Sequence, residues 1–574
     1  MSERPPVSLI QRFDESSAPT LTPREIKHRW IEFHRQIRLM SGTRFQRAAG
    51  RLLGEDTLRY RLARLLFRPL LRALRGRPRT PATTKLTATS AQAIFPVNYR
   101  PRQINFSLAI NLETVDARDV AVVVVDSAQA SAIEIIGQLN ETLNETTAEW
   151  LFICDATHDD DARRYSAARL HAASSREHDV VFADESGPNP FAPILKSPAV
   201  GPHTLLSYNV VGRPALVRVE TLFAVGGFIP EAGWAFEHDA YLRLRESGAR
   251  FHHLNTVLPA GRTDRDFDPR SLNEDTRRVV AAALERRGWR GEVTSGELAG
   301  LAHWRIEPPT PLPRVDIIIP SRDRVELVRR CVASIEAVTT YSNYGIILLD
   351  NDSVEPATRQ YFDDSPYPVV DCPGPFNYAR IVNRGVSHST AQFVVTLNND
   401  TVVVTPDWLE RLVALASLDD VGIVGACLMD PDGRREHEGI VIAPYPQHLR
   451  SDSNYPHDDP YVRATRDVAA VTGAVQMVRR EFWESLGGMD EELAVVMNDV
   501  DVCLRSLMTG HYVLYTPDVE LYHHVGSSRG SLDPIEDRNR FIRRWDIFGT
   551  FRDPFFAESL LLLGEKMFYF PRDS

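Results

Sequence analysis

The sequence predicts an α/β protein made of two tandem Rossmann-like units that follow a basic helical N-terminal arm. Short apolar strands alternate with helical patterns, polar residues follow the strand ends, and three sequence blocks recur in the same order. Such alternation is typical of sheets covered by helices, and 574 residues exceed the size of a single core. We expect the arm in residues 1–95, the first unit in 96–306, a Pro-rich linker in 307–314, and the second unit in 315–574 with a helical tail.

The arm differs in charge from the rest of the chain. Residues 21–80 contain 16 Lys or Arg and 4 Asp or Glu, whereas the whole chain has a net charge of −11. Leucines at helical spacing alternate with arginines in "TLRYRLARLLFRPLLRALRGR", and Pro69 predicts a kink. This basic amphipathic helix fits packing on the acidic body of the protein or of a partner subunit, or docking to an anionic membrane surface. We expect no nucleic-acid binding, because the arm lacks a recognised motif and interleaved aromatic residues.

The sequence features that are missing from the chain predict its cellular compartment. No apolar run approaches 18 residues, and the N-terminal "MSERPPVSLIQ" lacks the apolar core of a signal peptide. The five cysteines are scattered and form no CxxC motif, which fits a reducing compartment and neither a disulfide framework nor a zinc site. We therefore expect a cytoplasmic protein, with the arm as a means of peripheral attachment to the inner face of the inner membrane.

Similar segments indicate that the two units arose by duplication. A double glycine precedes an acidic cluster by 12 residues in the first copy and by 11 residues in the second. This comparison pairs Asp155 with Asp400 and Asp239 with Asp499. The paired segments are 148–157 with 391–401, 214–228 with 474–489, and 237–258 with 498–521.

In the second unit, polar residues follow two predicted strands. "IIIPSRDR" ends in Pro320, Ser321 and Arg322, and "IILLDNDS" ends in Asp350 and further polar residues. Ligands of open α/β sheets bind at the carboxyl ends of strands, and a carboxylate there can accept the ring N–H of a uracil or thymine base. Each of these residues alone also fits ordinary turn chemistry.

The segment "VVTLNNDTVVV" interrupts a buried-strand pattern with Asn398, Asn399 and Asp400. Mg²⁺ and Mn²⁺ take oxygen ligands, and a bound diphosphate supplies several of them. One carboxylate therefore suffices if a partner ligand exists, and "LYHHVGSSRG" offers His523 or His524. The alternative is that Asp400 is only a turn residue.

The segment "MNDVDVCLR" places two carboxylates before a predicted helix. Asp499 is suited to act as a general base that accepts a proton from an attacking hydroxyl group. The alternative is that Asp499 and Asp501 merely cap the helix.

Taken in order, these motifs resemble those of the family 2 glycosyltransferases with the GT-A fold, especially the two-domain type found in assembly of bacterial O-antigens and other polysaccharides. The resemblance covers residues from 315 to about 554. It rests on "VDIIIPSRDR", "LLDNDS", "PFNYARIVNRG", "LNNDT", "DWLERLVALA", "VTGA", "GGMDEEL", "NDVDVCLR" and "LYHHVGSSRG". The first copy resembles the same group through "FADES", "LLSYNVVG", "VGGF" and "EHDAYLRL".

The resemblance implies an inverting, metal-dependent transfer from a nucleotide sugar to a growing glycan or lipid-linked oligosaccharide. Asp499 would be the catalytic base, and Asp400 would bind Mg²⁺ or Mn²⁺ with His523, or with His524 as the alternative. Asn398 and Asn498 depart from the acidic residues that the family has there. The nucleotide sugar would contact Pro320, Ser321, Arg322, Asp350, Asn398, Asn399 and Arg529. Rhamnose is a common donor sugar in similar proteins, but no residue here identifies it.

The first copy is expected to be a degenerate GT-A-like domain that acts as a scaffold or holds the acceptor glycan. It keeps Asp155 and Asp239 but has no histidine where the second copy has His523. The alternatives are a second active transferase in this copy, which would make the enzyme bifunctional, and a wholly non-catalytic carbohydrate-binding or scaffold protein. "RFIRRW" resembles the QxxRW motif of processive synthases only loosely, so we give the match no weight, and processivity stays open.

Overall fold

A computed structural model describes residues 120–125, 131–155, 160–186, 194–258, 268–451, 455–456, 459–524, 534–563 and 566–569. The basic arm and Arg529 lie outside these residues, so the expectations about them stay predictions. Within the described part of the chain, no helix combines the length and the apolar character needed to cross a membrane.

The first unit contains a five-stranded mixed sheet in the order β1-β2-β4-β3-β5, and a separate hairpin of β6 and β7 follows it. The strands are β1 (Val120–Val125), β2 (Trp150–Asp155), β3 (Val180–Glu185), β4 (Ala215–Arg218), β5 (Phe251–Leu258), β6 (Gly291–Ser295) and β7 (Ala302–Ile306). The helices are α1 (Ala132–Glu145), α2 (Asp160–Ala173), α3 (Pro202–Ser207), α4 (Val219–Ala224), α5 (Phe236–Glu246) and α6 (Pro269–Arg286), with a 3₁₀ helix at Pro230–Ala235.

The second unit contains a ten-stranded sheet with the main order β10-β9-β8-β11-β18-β13-β19-β12, to which β14 and β17 are added. The strands of this sheet are β8 (Val315–Ser321), β9 (Tyr344–Asp350), β10 (Val369–Asp371), β11 (Phe393–Leu397), β12 (Thr401–Val403), β13 (Val421–Met429), β14 (Arg435–His437), β17 (Arg466–Asp467), β18 (Val475–Arg479) and β19 (Tyr512–His523). A separate hairpin consists of β15 (Ile440–Ile442) and β16 (Pro446–His448). The helices of this unit are α7 (Val325–Val338), α8 (Pro356–Asp363), α9 (Tyr378–Ser387), α10 (Trp408–Ala416), α11 (Pro460–Arg463), α12 (Arg480–Ser485), α13 (Asn498–Met508) and α14 (Ile535–Trp545).

The first sheet has the same order and strand directions as the centre of the second. Strands β1, β2, β4, β3 and β5 correspond to β8, β11, β18, β13 and β19. In both sheets the first and last neighbouring pairs are parallel and the two middle pairs are antiparallel. Strands β9 and β10 of the second sheet have no counterpart on the described path of the first sheet. This agreement supports the inference of duplication.

Apolar patterning explains the central elements of the second unit. Every residue of β11 and β13 is buried, as expected for strands covered on both faces. Helix α7 buries one face through residues spaced three and four apart. These buried residues are Val325, Val328, Cys331, Val332 and Ile335. The apolar core continues without a break into the first unit, so the two units share it.

A buried polar cluster joins the two units. Asp467 on β17 accepts hydrogen bonds from the backbone N–H groups of His203 and Thr204 at 3.1 and 2.9 Å, and from the Thr204 hydroxyl at 2.9 Å. His203 Nδ1 lies 2.8 Å from Asp467 Oδ1, and its Nε2 lies 3.6 Å from Asp420 Oδ1. Burial alone would lower the pKa of His203, but the charges of Asp467 and Asp420 outweigh it and raise this pKa to about 9.

We expect this cluster to make the fold less stable as the pH becomes alkaline. The pKa of His203 is about 9 in the fold and about 6.5 when unfolded. Its contribution, on the order of 3 kcal/mol, is therefore fully present below pH 6.5 and is lost as the pH rises through 9. Thermal unfolding should show a midpoint that falls between pH 7 and 10, and this fall should shrink in His203→Gln. An equal pH response in both proteins would contradict the assignment.

The C-terminal segment corrects one expectation. Among the described residues from 534 onward, the tail is helical in α14 and then forms a hairpin of β20 (Leu560–Leu563) and β21 (Lys566–Tyr569). The segment between α14 and β20 contacts the first unit, because Ala199 N–H donates to the Pro554 carbonyl at 2.8 Å. Periodicity alone does not show this, because the apolar residues of the hairpin also fit a helical pattern.

Candidate active site

The polar interruption after β11 is a tight turn at the carboxyl edge of the second sheet. Asn398 N–H donates to the Ala474 carbonyl at 3.0 Å, and Thr401 N–H and hydroxyl both bond the Asn398 carbonyl. Asn399 is buried and donates to Ser321 Oγ at 3.0 Å. Asp400 follows, with only 2% of its side chain exposed. Turn chemistry and a ligand-facing carboxylate are therefore combined in one segment.

The structure brings His523 to Asp400. Antiparallel pairing of β12 with β19 places Thr401 opposite His523, and His523 Nε2 lies 3.4 Å from Asp400 Oδ1. His524 approaches Asp400 through its backbone, with its N–H donating to the Asp400 carbonyl at 2.9 Å. Burial and Arg330 lower the pKa of His524. The geometry favours His523 over His524 as the side chain that acts with Asp400.

Glu436 is a site residue that the sequence did not reveal. It lies on β14, and its Oε2 is 3.2 Å from Nδ1 of His523. Burial would lower the pKa of His523, but the hydrogen bonds and charges of Asp400 and Glu436 raise it to about 9. His448, half-buried at the end of β16, also interacts electrostatically with Asp499, Glu436 and His523. Burial and Arg450 lower the pKa of His448 to about 4.

Asp499 lies in the first turn of α13 and is joined to the same edge by hydrogen bonds. Its Oδ2 accepts from Gly473 N–H at 2.8 Å, and its Oδ1 accepts from Val500 N–H at 2.9 Å. The Tyr378 hydroxyl lies 2.7 Å from the Gly473 carbonyl and 3.2 Å from Asn398 Oδ1. Asp499 and the polar turn after β11 therefore belong to one continuous site.

Gly473 allows the close approach of Asp499. A Cβ atom at position 473 would lie 3.2 Å from Asp499 Cβ and 3.6 Å from a ring carbon of Tyr378. Tyr378 and Gly473 are further residues that the sequence analysis did not single out, although both lie within its motifs. Their role depends on contacts between distant segments, so spacing could not show it.

Asp501 has a structural place. It is fully buried, accepts from Arg505 Nε at 2.8 Å, and does not cap the helix through its side chain. Arg544 and Trp545, the end of the "RFIRRW" segment, donate to Asp501 Oδ1 at 2.9 and 3.0 Å. This segment thus fixes α14 to the helix that carries Asp499.

The residues expected to contact a nucleotide base line the neighbouring strand ends. Ser321 is buried at the end of β8, and Arg322 follows it as an exposed side chain. Parallel pairing places Asp350 opposite Ser321, and Pro320 opposite Leu349. Asp350 Oδ1 accepts from Ser353 N–H at 2.9 Å, so Asp350 also stabilises its own turn. The structure therefore places Pro320, Ser321, Arg322 and Asp350 at the same sheet edge as Asp400.

The site fits a divalent cation that takes further ligands from a substrate. No group of three or more His, Cys, Asp or Glu side chains in the described ranges is arranged to hold a metal. Two donor atoms that are each about 2.1 Å from one ion lie roughly 3 to 3.5 Å apart. The 3.4 Å between Asp400 Oδ1 and His523 Nε2 meets this condition. The pair could thus supply two ligands and leave the other positions to a diphosphate.

The structure corrects the residue matched to Asp239. In α13, Arg505 donates to Asp501 and to two backbone carbonyls of the preceding double-glycine segment. In α5, Arg243 makes the same three contacts, with Asp239 as its carboxylate partner. Asp239 therefore corresponds to Asp501 and not to Asp499. The sequence comparison was two residues out of register because both helices begin with several acidic residues.

The position of Asp499 is taken in the first unit by Glu237. Arg213 holds Glu237 with two hydrogen bonds, Nε to Oε1 at 2.8 Å and Nη2 to Oε2 at 2.9 Å. Both side chains are 6% exposed. This buried bidentate pair with a charged guanidinium disfavours proton uptake by Glu237, whereas Asp499 accepts only from backbone N–H groups in the hydrogen bonds described above.

The match of Asp155 with Asp400 is also corrected. Trp150 begins β2 and Phe393 begins β11, and each pairs with the first residue of the parallel strand and the last residue of the antiparallel strand. Five residues further, Asp155 corresponds to Asn398. The sequence comparison aligned the first carboxylate after each strand, although Asp155 lies two positions before the equivalent of Asp400.

Comparison with known proteins identifies the family of the second unit. Residues 316–487 match the model of the family "Glycosyl transferase family 2". The chain carries a family 2 glycosyltransferase domain. This glycosyltransferase domain contains the turn with Asp400 and the strands that end at Ser321 and Asp350. Asp499 and His523 lie beyond the matched residues.

Two curated relatives extend the similarity beyond the glycosyltransferase domain. The chain is 34% identical over 382 residues to the uncharacterized protein y4gI of Sinorhizobium fredii (strain NBRC 101917 / NGR234), covering 62% of this chain and 41% of that protein. It is 32% identical over 407 residues to the O-antigen biosynthesis protein RfbC of Myxococcus xanthus, covering 67% of this chain and 31% of that protein. The chain thus spans less than half of the length of these relatives.

Solved structures similar to part of the chain include two glycosyltransferases. One is the mannosyltransferase PcManGT from Pyrobaculum calidifontis in complex with GDP-Man and Mn²⁺, at 21% identity and a TM-score of 0.30, covering 42% of this chain and 62% of that one. The other is GalNAc-T7 with UDP, GalNAc and Mn²⁺, at 16% identity and a TM-score of 0.34, covering 42% of this chain and 49% of that one.

Proposed function

We propose that the second unit, as a GT-A domain, transfers a sugar from a nucleotide sugar to a growing bacterial surface polysaccharide, with inversion at the anomeric carbon. The observation that carries the proposal is the meeting of Asp400, His523 and Asp499 at one sheet edge of a glycosyltransferase domain. The similarity to the O-antigen biosynthesis protein RfbC supports a polysaccharide as the product. Rhamnose is one candidate for the donor sugar.

In the proposed reaction, Asp499 accepts the proton of the acceptor hydroxyl as its oxygen attacks the anomeric carbon. Gly473 N–H binds one carboxylate oxygen and keeps Asp499 turned toward the Tyr378 side of the site. The new bond from the acceptor oxygen to the anomeric carbon forms on the face opposite the nucleotide. The nucleoside diphosphate leaves with the electrons of its broken bond to that carbon. The fixed orientation of Asp499 is what the protein contributes to this step.

Negative charge that develops on the leaving diphosphate has to be neutralised. Asp400 and His523 are the side chains that would hold a divalent cation there, and such a cation acts as a Lewis acid on phosphate oxygens. Arg529 stays a candidate for a further contact with the diphosphate. Ser321 and Asp350 are proposed to contact the base and ribose of the nucleotide from the adjacent strand ends.

We propose that the first unit is a degenerate GT-A-like domain without transfer activity. Its sheet follows the order of the second, but Glu237, in the place of the base, is held by Arg213. The fixed carboxylate favours this role over a bifunctional enzyme. The shared core supports a scaffolding role, and retention of the acceptor glycan is a role consistent with it. A wholly non-catalytic carbohydrate-binding protein is the competing proposal, which the site residues of the second unit disfavour.

Donor turnover in the presence and absence of metal tests the proposed function. Hydrolysis or transfer should be detected in a panel of UDP-, GDP- and dTDP-sugars, dTDP-rhamnose included. We expect EDTA to abolish turnover and added Mn²⁺ to restore it, because Asp400 and His523 alone leave the diphosphate charge unneutralised. Asp400→Asn should lower turnover by at least about 10²-fold, whereas Glu484→Gln at the opposite sheet edge should not. Full turnover in EDTA would exclude the proposed metal dependence.

A further inference from the structure

Glu436 lies at a β-bulge that directs it into the site. His437 pairs with Leu428, and Arg435 pairs with the next residue, Met429, so Glu436 is the extra residue of β14. Bulges re-aim side chains and are frequent next to active sites. The result here is a 3.2 Å contact of Glu436 Oε2 with His523 Nδ1, with both side chains 13% exposed.

A carboxylate faces each ring nitrogen of His523: Nδ1 lies 3.2 Å from Glu436 Oε2, and Nε2 lies 3.4 Å from Asp400 Oδ1. A cation held by Asp400 would take the lone pair of Nε2, and Glu436 would then accept a hydrogen bond from the proton that stays on Nδ1. Because Glu436 binds the far nitrogen, it acts through His523 and does not itself reach the cation.

We propose that Glu436 is a positioning residue that orients His523 for binding a divalent cation together with Asp400. This inference rests on the proposed function, because it requires a cation at Asp400 and His523. A carboxylate behind a histidine ligand fixes the tautomer and the ring orientation and raises the basicity of the ligand. Arg435, the neighbour of Glu436 in β14, forms an ion pair with Glu520 at 2.9 Å.

The test measures Mn²⁺ binding to the full chain. Mn²⁺ is titrated in the presence of a mixture of UDP, GDP and dTDP, and free Mn²⁺ is counted by electron paramagnetic resonance. We expect Glu436→Leu to raise the Kd for Mn²⁺ about 10- to 100-fold. Glu436→Gln should have a smaller effect, because its amide oxygen can still accept from Nδ1. Glu484→Gln, on the helix after β18 at the opposite sheet edge, is the matched control and should bind as the wild type does.

The same substitution in a His523→Ala variant distinguishes a positioning role of Glu436 from a general structural effect. In His523→Ala, adding Glu436→Leu should cause no further loss of Mn²⁺ affinity, because the two residues act as one unit. Wild-type affinity in Glu436→Leu, or an equal loss with and without His523, would overturn the positioning role. If His523→Ala weakens binding and Glu436→Leu does not, only this inference fails. If the wild type binds no Mn²⁺, both this inference and the proposed metal dependence fail.

Discussion

Replacing Asp499 by Asn is expected to lower the turnover number of sugar transfer by about 10²- to 10⁴-fold. The amide oxygen can still accept from Gly473 N–H, so the backbone around the site should keep its arrangement. The capacity to take a proton from the acceptor hydroxyl is lost, together with the acceptor of the bond from Val500 N–H. Binding of the nucleotide sugar, which the other sheet-edge residues provide, should change little. Single-turnover assays with saturating donor, together with a donor binding titration, measure the two quantities separately.

A matched control is Asp363→Asn, a substitution at an exposed carboxylate at the end of α8. It should leave both transfer and donor binding at wild-type values. Undiminished transfer by Asp499→Asn would refute the assignment of the base. If Glu237→Gln then abolished transfer, the reaction would have to be placed in the first unit.

Replacing Asp467 by Ala is expected to destabilise the fold by about 3–5 kcal/mol. The substitution removes the acceptor of four hydrogen bonds from His203 and Thr204. It also leaves the charge of His203, which is fully buried, with only the more distant Asp420. Thermal unfolding should show a markedly lower midpoint, whereas Asp363→Ala should unfold at the wild-type temperature.

Coupling between the two residues distinguishes this explanation from a local packing defect. In the double variant His203→Ala with Asp467→Ala, the loss should be smaller than the sum of the two single losses. Additive losses would show that His203 and Asp467 stabilise the protein independently, contrary to the geometry of the cluster.

The sequence was sufficient to predict the α/β class of the fold, and the structure confirms it. Alternating apolar segments are local signals, and β8, β9, β11 and β13 lie where their apolar runs predict them. The family 2 glycosyltransferase resemblance is likewise confirmed for residues 316–487. A histidine partner for Asp400 was expected from the sequence, with His523 preferred through the family resemblance and His524 as the alternative, and His523 Nε2 lies 3.4 Å from Asp400 Oδ1.

What the sequence could not show depends on contacts between distant segments. Glu436 reaches His523 through a bulge, and a bulge is defined only by the register of two paired strands. The correspondences of Asp155 and Asp239 were wrong by two positions, because neighbouring carboxylates are interchangeable in a sequence comparison. Hydrogen bonds of Arg243 and Arg505 distinguish them.

The Asp467 cluster changes the meaning of the boundary at the Pro-rich linker. Asp467 precedes Gly473 by six residues, and Gly473 binds Asp499. The strand that contacts the first unit therefore leads directly into the segment that binds Asp499. A fragment cut at residue 315 would expose a carboxylate and an apolar surface that the intact chain buries. The boundary that the Pro-rich segment marks in the sequence therefore does not separate two independent cores.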